Sequence, residues 1–455
     1  MHRPPFDVLI IGAGAAGLAA AAELARAGTS ALLLEARDRI GGRVWSRHEP
    51  DLPVPIELGA EFIHGRPAVT FSLLESAGIR AVDAPFARFT AHHGHLQPER
   101  NDFFGEVQCF LRAHADALQR DVSFESFLAR CGGGLSKGAR AFARMRVQGY
   151  DAADPARISA RAVTTDWIRT DVNQGGHFRP QGGYGALMDF LARGIADSSV
   201  RLRMKTIVRA VRWKRGSVAI EGASAGRPFR ATASRAIVTL PLGVLQISPG
   251  VPGAVRFTPP LTEKHAALGG LASGPVVKVA LRFRTAFWED LDDSRYRDAA
   301  FFRSPRAAFP TFWTALPMRM PLLIAWAGGP KAARVSAVET SDIVRSAVKS
   351  LTSILGKRAN IDKQFVSAYC HDWRSDPFAR GAYSYTLVGG EKAREMLAMP
   401  LRETLFFAGE ASADQGEHAT VAGALQSGIR AARQLLAVAG GQYVGSIERR
   451  RGGWQ

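Results

Sequence analysis

The chain is short of cysteine, of lysine and of long apolar runs, and each shortage excludes something. Cys109, Cys131 and Cys370 are its only cysteines. Three widely spaced thiols cannot build a disulfide framework or a zinc ribbon, and they suit a reducing, cytoplasmic compartment. No apolar run reaches the roughly eighteen residues that a membrane-spanning helix needs, so no membrane anchor is expected. The first strand begins soon after Met1, so no signal or twin-arginine leader is expected. Internal repeats, low-complexity linkers, metal-ligand spacings and a Ser–His–Asp arrangement are all missing. Lysines number only ten against 49 arginines, and the net charge is +18. The arginines are scattered. Their densest group, Arg449-Arg450-Arg451, lies in a short basic tail, 441–455. Such a distribution reads as a solvated surface, and no nucleic-acid partner is expected.

What is present starts with Val8-Leu9-Ile10-Ile11, an apolar strand running into Gly12-Ala13-Gly14-Ala15-Ala16-Gly17. An alanine-rich helix follows, Gly28 ends it, and a second apolar strand stops at Glu35. This is a βαβ unit with the G-x-G-x-x-G spacing at its first turn. Gly12 permits the tight turn, Gly14 lets a pyrophosphate approach the backbone, and Gly17 lets the helix pack close to the strand. The helix N-terminus offers N–H groups and partial positive charge to a diphosphate, and Glu35 is placed for a ribose diol. Dinucleotide binding is the reading. Glu35-Ala36-Arg37 then leads to Gly41-Gly42-Arg43, a second glycine pair that a nicotinamide fold does not need.

With 46% hydrophobic residues over 455 positions, the chain can bury a large core in two domains. Helices are expected at 68–77, 102–120, 123–130, 136–149, 341–355 and 419–437, and strands at 200–204, 207–213, 217–221, 229–233, 235–240, 276–283, 309–313, 322–327 and 404–407. The expected fold class is α/β, α+β overall: a Rossmann-like FAD-binding domain beside a mixed-sheet and helical substrate domain, in a p-hydroxybenzoate-hydroxylase-like arrangement. The first is assigned 1–85, 181–275 and 386–440, and the second 86–180 and 276–385, with a helical insertion from 86 to about 168.

Further stretches carry a family resemblance. They are Glu57-Leu58-Gly59-Ala60 with Phe62-Ile63-His64-Gly65, Val277-Lys278-Val279 before Phe287-Trp288, and the segment from Trp373 through Phe378 to Tyr385. Leu405-Phe406-Phe407-Ala408-Gly409-Glu410 and Thr420-Val421-Ala422-Gly423 close the set. In order and over nearly the whole chain, these motifs resemble the flavin-containing amine oxidases: monoamine oxidases, polyamine oxidases and the lysine-specific histone demethylase. The resemblance implies FAD rather than NAD. Ala15, Ala16, Ala36, Arg37, Gly42, Arg43, Gly59, Ala60, Glu61, Phe62, Val208, Gly409, Glu410, Thr420 and Val421 are expected to join the glycine turn and Glu35 around it.

Ala382 stands where monoamine oxidases have the cysteine that bonds the flavin, so the FAD is expected to be non-covalent. Lys278, expensive to bury without a task, resembles the family lysine that holds a water at flavin N5. Tyr383 resembles one wall of an aromatic cage, open on the Thr420 side. His64, Glu61, Trp373, Phe378 and Thr420 are the expected substrate contacts, with Glu61 and Glu417 offering charge to a distal ammonium. The implied activity is hydride transfer from the α-carbon of an amine, polyamine or other, to the flavin. Molecular oxygen is the second partner, hydrogen peroxide the product, and the assembly a monomer or homodimer. One rival is an L-amino-acid oxidase of the same superfamily, which needs an arginine for the substrate carboxylate. The other is a non-enzymatic interaction protein that uses FAD as structure.

Overall fold

The computed structural model describes residues 5–92, 95–99, 102–169, 176–336, 338–414 and 416–440. The basic tail expected at 441–455 lies outside them. Val8–Ile11 and Ala31–Leu34 sit inside a five-stranded parallel sheet, in the order Val200–Arg203, Ala31–Leu34, Val8–Ile11, Arg235–Val238, Leu405–Phe407. Its central strands are apolar without alternation because both faces are covered. Val8, Ile10 and Leu33 point into a core shared with helices Ala15–Arg26 and Val421–Ala439. Leu9, Ile11, Leu32 and Leu34 point the other way, against Val211, Trp213, Val218 and Ile220 of a four-stranded sheet built from 206–258. The two helices cross closely: a Cβ on Gly428 would stand 2.1 Å from the Ala16 carbonyl oxygen.

A seven-stranded sheet forms the other half, in the order Phe365–Asp372, Val276–Phe283, Leu322–Gly328, Thr311–Thr314, Phe301–Arg303, Arg88–His92, His95–Pro98. Alternation along Val276–Phe283 decides its chemistry. Val277, Val279, Leu281 and Phe283 pack under the amphipathic helix Thr340–Leu355. Lys278 and Ala280 therefore face the opposite side, where Ala280 meets Ile56, Leu58, Trp313 and Ile324. Short ladders join the halves: Leu271–Ser273 with Ser384–Thr386, and Ile63–His64 and Ala81–Asp83 with His177–Pro180.

The helical stretch after residue 102 has shifted ends and one helix more than expected. Its helices are Phe103–Ala113, Phe124–Cys131, Lys137–Gly149 and Ala160–Arg169. Asp102, Ser123 and Ser136 cap the first three, each side chain accepting a backbone N–H one turn on. The helix expected over 102–120 stops at Ala113, and a 3₁₀ turn, Ala115–Leu118, follows. One part of the insertion is not helical. The hairpin of Arg88–His92 and His95–Pro98 extends the seven-stranded sheet through parallel pairing with Phe301–Arg303. A lone hairpin pattern there is too short to read, and the pairing that stabilises it comes from a strand two hundred residues away.

Candidate active site

At the nucleotide end, Gly12 takes φ +105, and a Cβ on Gly17 would stand 1.8 Å from the Gly12 carbonyl oxygen. Only glycine fits either position. Helix Ala15–Arg26 starts from Gly14 with no side-chain cap, so its first N–H groups remain open to a cavity lined by Gly14, Ala15 and Ala16. Glu35 is buried, with Oε2 accepting the Ala13 N–H and Oε1 the Arg37 N–H, both at 2.9 Å. Two glycines, an uncapped helix end and an oriented carboxylate are what a dinucleotide diphosphate and ribose require. Ala36, Gly42, Ala60 and Val208 line the same cavity.

Arg43 pairs with Glu410 at 3.0 Å and also donates to the Ala382 carbonyl. The other Glu410 oxygen accepts the Ser384 N–H at 3.2 Å and hydroxyl at 2.7 Å. Burial pushes the Glu410 carboxyl up, but Arg43 and Arg394 hold it below its usual range. Its oxygens thus serve an internal network joining Arg43 to the Ser384 strand. Gly409, at φ +123 and open to the cavity, precedes it.

Lys278 is 1% exposed. Its ammonium donates to Glu61 Oε2 at 2.8 Å and the Gly59 carbonyl at 3.0 Å, and lies 5.4 Å from the Trp313 ring centroid. Glu61 also accepts from Arg179 Nε and Trp313 Nε1, each at 3.0 Å. Burial works against the Glu61 charge, and Lys278 and Arg179 more than offset it. The expectation that Glu61 is free to hold a distal ammonium is therefore corrected: buried Lys278 and half-buried Arg179 already hold it. Trp373 lines the cavity and is also fixed to its backbone. Its Nε1 donates to the Leu58 carbonyl at 2.9 Å and its ring lies under Gly59, so it supports the backbone around the cavity. Phe378 stands beneath the Arg37 guanidinium at 5.3 Å, at the nucleotide end, because Arg37 is drawn there by Asp376. The Thr420 hydroxyl caps helix Val421–Ala439, accepting from Gly423 N–H and donating to the Glu417 carbonyl, so its oxygen is engaged.

The far end of the cavity is aromatic. Phe62, Tyr150, Trp167, Trp326 and Tyr383 line it, and the whole space amounts to about 690 Å³. The Tyr383 hydroxyl donates to the Tyr150 carbonyl at 2.6 Å. His64 opens onto the cavity but is otherwise enclosed by protein. Its Nδ1 lies 2.8 Å from Nδ1 of His177, so one ring donates and the other accepts. Burial and Arg146 lower His64 to about 4; burial, His64 and nearby arginines lower His177 to about 3. Both rings are neutral at pH 7. Asp151, also on the wall, is raised to about 7 by burial, partly opposed by Arg146. Burial also raises Glu417. Tyr150, Asp151, Arg146, His177 and Arg88 were invisible to the sequence reading, and no motif among them would have revealed them.

Among the described residues, no group of three or more His, Cys, Asp and Glu is placed for a metal, and no helix is long and apolar enough to cross a membrane. A dinucleotide cradle opening directly onto a buried lysine and an aromatic chamber defines a dinucleotide-dependent oxidoreductase. A family model described as flavin containing amine oxidoreductase matches residues 15–436, and the chain belongs to that family.

The human lysine-specific histone demethylase 2 is 27% identical over 95% of this chain and 53% of its own length. The chain thus spans about half the length of the demethylases it matches. Polyamine oxidase 2 of Arabidopsis thaliana is 28% identical over 94% of this chain and 87% of its own. A solved structure of putrescine oxidase bound to putrescine shares the fold, with a TM-score of 0.77 at 22% identity over 95% and 99% of the two chains. The cofactor is FAD, held without a covalent bond. The cradle fits it, and Ala382 beside Tyr383 has no nucleophile to bond it.

Proposed function

We propose that this protein is an FAD-dependent amine oxidase that oxidises the carbon bearing the nitrogen of a small-molecule amine and uses oxygen as acceptor. The single observation carrying the reading is the continuity of one cavity, from the glycine turn at Gly14 to the aromatic chamber at Tyr383, with Lys278 on its wall. Bound FAD would supply the two-electron chemistry by which the amine is oxidised to an imine, which water hydrolyses, while oxygen is reduced to hydrogen peroxide.

The chain's own residues do the rest. Tyr383 and Tyr150, tied by their hydrogen bond, form a fixed wall that orients an amine and excludes water. The reacting nitrogen must be neutral, so an ammonium must shed a proton on binding. Asp151, on the wall and raised to about 7 by burial, is the group proposed to accept it. Lys278, fixed by Glu61 and the Gly59 carbonyl, has one remaining N–H with which to hold a water.

Anaerobic mixing of the purified holoprotein with a panel of amines tests the reading. Bleaching of the flavin by at least one amine, followed by peroxide formation on admitting air, is expected. A flavin that no amine reduces would refute the activity. Reduction without peroxide in air would remove oxygen as the acceptor.

A further inference from the structure

One buried arginine belongs neither to the cofactor cradle nor to the chamber. Arg394, on the short helix Ala393–Ala398, is 6% exposed and does not line the cavity. Among the described residues no carboxylate touches it. Burial disfavours its charge, and Glu410 and Asp166 offset this only in part. Its donors go to one residue above all. Nη1 reaches the Ser384 hydroxyl at 2.7 Å and the Ala411 carbonyl at 3.3 Å, and Nη2 the Ser384 carbonyl at 3.1 Å.

Ser384 is a junction. A hydroxyl has one proton, so accepting from Arg394 leaves that proton for Glu410 Oε2, which it meets at 2.7 Å. The Ser384 N–H donates to the same oxygen. Glu410 Oε1 receives Arg43, which also donates to the Ala382 carbonyl. Tyr383 stands between, with both chain neighbours tied: Ala382 by Arg43, Ser384 by Glu410 and Arg394. Its own carbonyl accepts the Gly274 N–H at 2.7 Å, and its hydroxyl donates to the Tyr150 carbonyl. Arg43, Ser384 and Glu410 line the cavity, and Arg394 stands behind them. Charge-assisted hydrogen bonds in series, shielded from water, hold a backbone more stiffly than neutral ones. A wall displaced by about 1 Å can cost on the order of a hundredfold in rate.

We propose that Arg394 is a positioning residue for the reaction: acting through Ser384, it fixes the backbone at Tyr383 and so the wall that orients the amine. The proposal rests on the amine-oxidase reading for the reaction served, and on the hydrogen bonds alone for the segment held.

Holoproteins carrying Arg394→Met, Arg394→Lys, Ser384→Ala and Lys264→Met are compared with the parent. Lys264 controls for a merely structural role. It is buried, holds the far end of the same helix through the Met396 carbonyl at 2.6 Å and the Met399 carbonyl, and does not line the cavity. Anaerobic stopped-flow uses the amine of the panel that reduces the parent fastest. Reduction at saturating amine is expected to be at least tenfold slower in Arg394→Met, with the amine's dissociation constant within threefold. Partial recovery is expected in Arg394→Lys, and a rate within twofold of the parent in Lys264→Met. In a Tyr383→Ala background, Arg394→Met is expected to slow reduction less than twofold, because the wall it positions is gone. Deuterium exchange over residues 381–386 needs no substrate. It is expected to be at least tenfold faster in Arg394→Met and Ser384→Ala and unchanged in Lys264→Met. Should Arg394→Met fail to fold, Arg394→Lys and Ser384→Ala carry the same comparisons. Additive losses with Tyr383→Ala, equal slowing in Lys264→Met or unchanged exchange would overturn the proposal and leave the amine-oxidase reading standing. If no amine reduces the parent flavin, that reading falls, and exchange alone decides whether Arg394 holds the segment.

Discussion

Lys278 donates to Glu61 across the cavity floor at 2.8 Å, and the pair is not symmetric in its surroundings. Glu61 has two further donors of its own, Arg179 and Trp313, whereas among the described residues Lys278 has only the Gly59 carbonyl besides. Removing the acid therefore strands more charge than removing the base. Glu61→Gln is expected to destabilise the protein by about 3 kcal/mol more than Lys278→Met, because a buried cation without its partner carries the full desolvation penalty. Denaturant unfolding of both variants measures the difference. An equal or reversed order would show that the ion pair is not what supports this region.

Lys278→Met also separates binding from chemistry. Lys278 touches neither the glycine turn nor Glu35, so flavin content is expected to match that of the parent. If its ammonium holds the water needed when oxygen reacts, reoxidation slows at least tenfold, equivalent to about 1.4 kcal/mol in barrier. Stopped-flow mixing of pre-reduced protein with oxygenated buffer reads this directly, and an unchanged rate would remove Lys278 from the oxygen step.

Gly17→Ala is expected to yield flavin-free protein. Its Cβ would lie 1.8 Å from the Gly12 carbonyl oxygen, which is backbone and cannot step aside without undoing the turn. Gly269→Ala, where a Cβ meets nothing within 4 Å, is the control and should remain yellow. The ratio of flavin to protein absorbance in each purified variant decides the matter.

Glu57 makes stability fall with rising pH. It is buried, its Oε1 accepting from Ser46 and the Tyr184 N–H, and its Oε2 has no partner. Burial raises its pKa from 4.5 to about 7. The folded state thus keeps a proton that the unfolded chain has already lost. The stability this confers is complete below pH 4.5 and fades as pH climbs through 7, by roughly 3 kcal/mol in all. Glu57→Gln should flatten the dependence of melting temperature on pH between 5 and 8. A slope equal to the parent's would assign the effect elsewhere.

The elements legible in the sequence are those whose signal is local. The glycine turn and Glu35 can be read because the chemistry of a diphosphate site is written in adjacent residues. Lys278 stands out because a charge in Val276–Phe283 violates the composition of a buried strand. Thr420 was legible as a position but not as a role, since a helix cap and a substrate contact look alike before the helix is seen. Arg88 and Arg146 could not be read at all. One lies on a short edge hairpin and the other on an amphipathic helix, where an arginine facing a cavity and one facing water have the same spacing. That both face one cavity is a tertiary fact, created when the insertion folds against the sheet. Glu61 was misread for the same reason: Arg179 and Trp313, which occupy it, are over a hundred residues away in sequence.

The close crossing of Gly428 over Ala16 has a consequence for how the protein is made. The glycine turn is translated roughly four hundred residues before the helix that braces it. Its sheet likewise waits for Leu405–Phe407. A nascent chain therefore carries a complete glycine motif and no working cradle. Flavin capture is expected only once both elements are made, and contacts so distant in sequence make that assembly slow. Until then the apolar faces of Val8–Ile11 and Ala31–Leu34 stay uncovered, so overproduction is best balanced by slow synthesis and ample riboflavin.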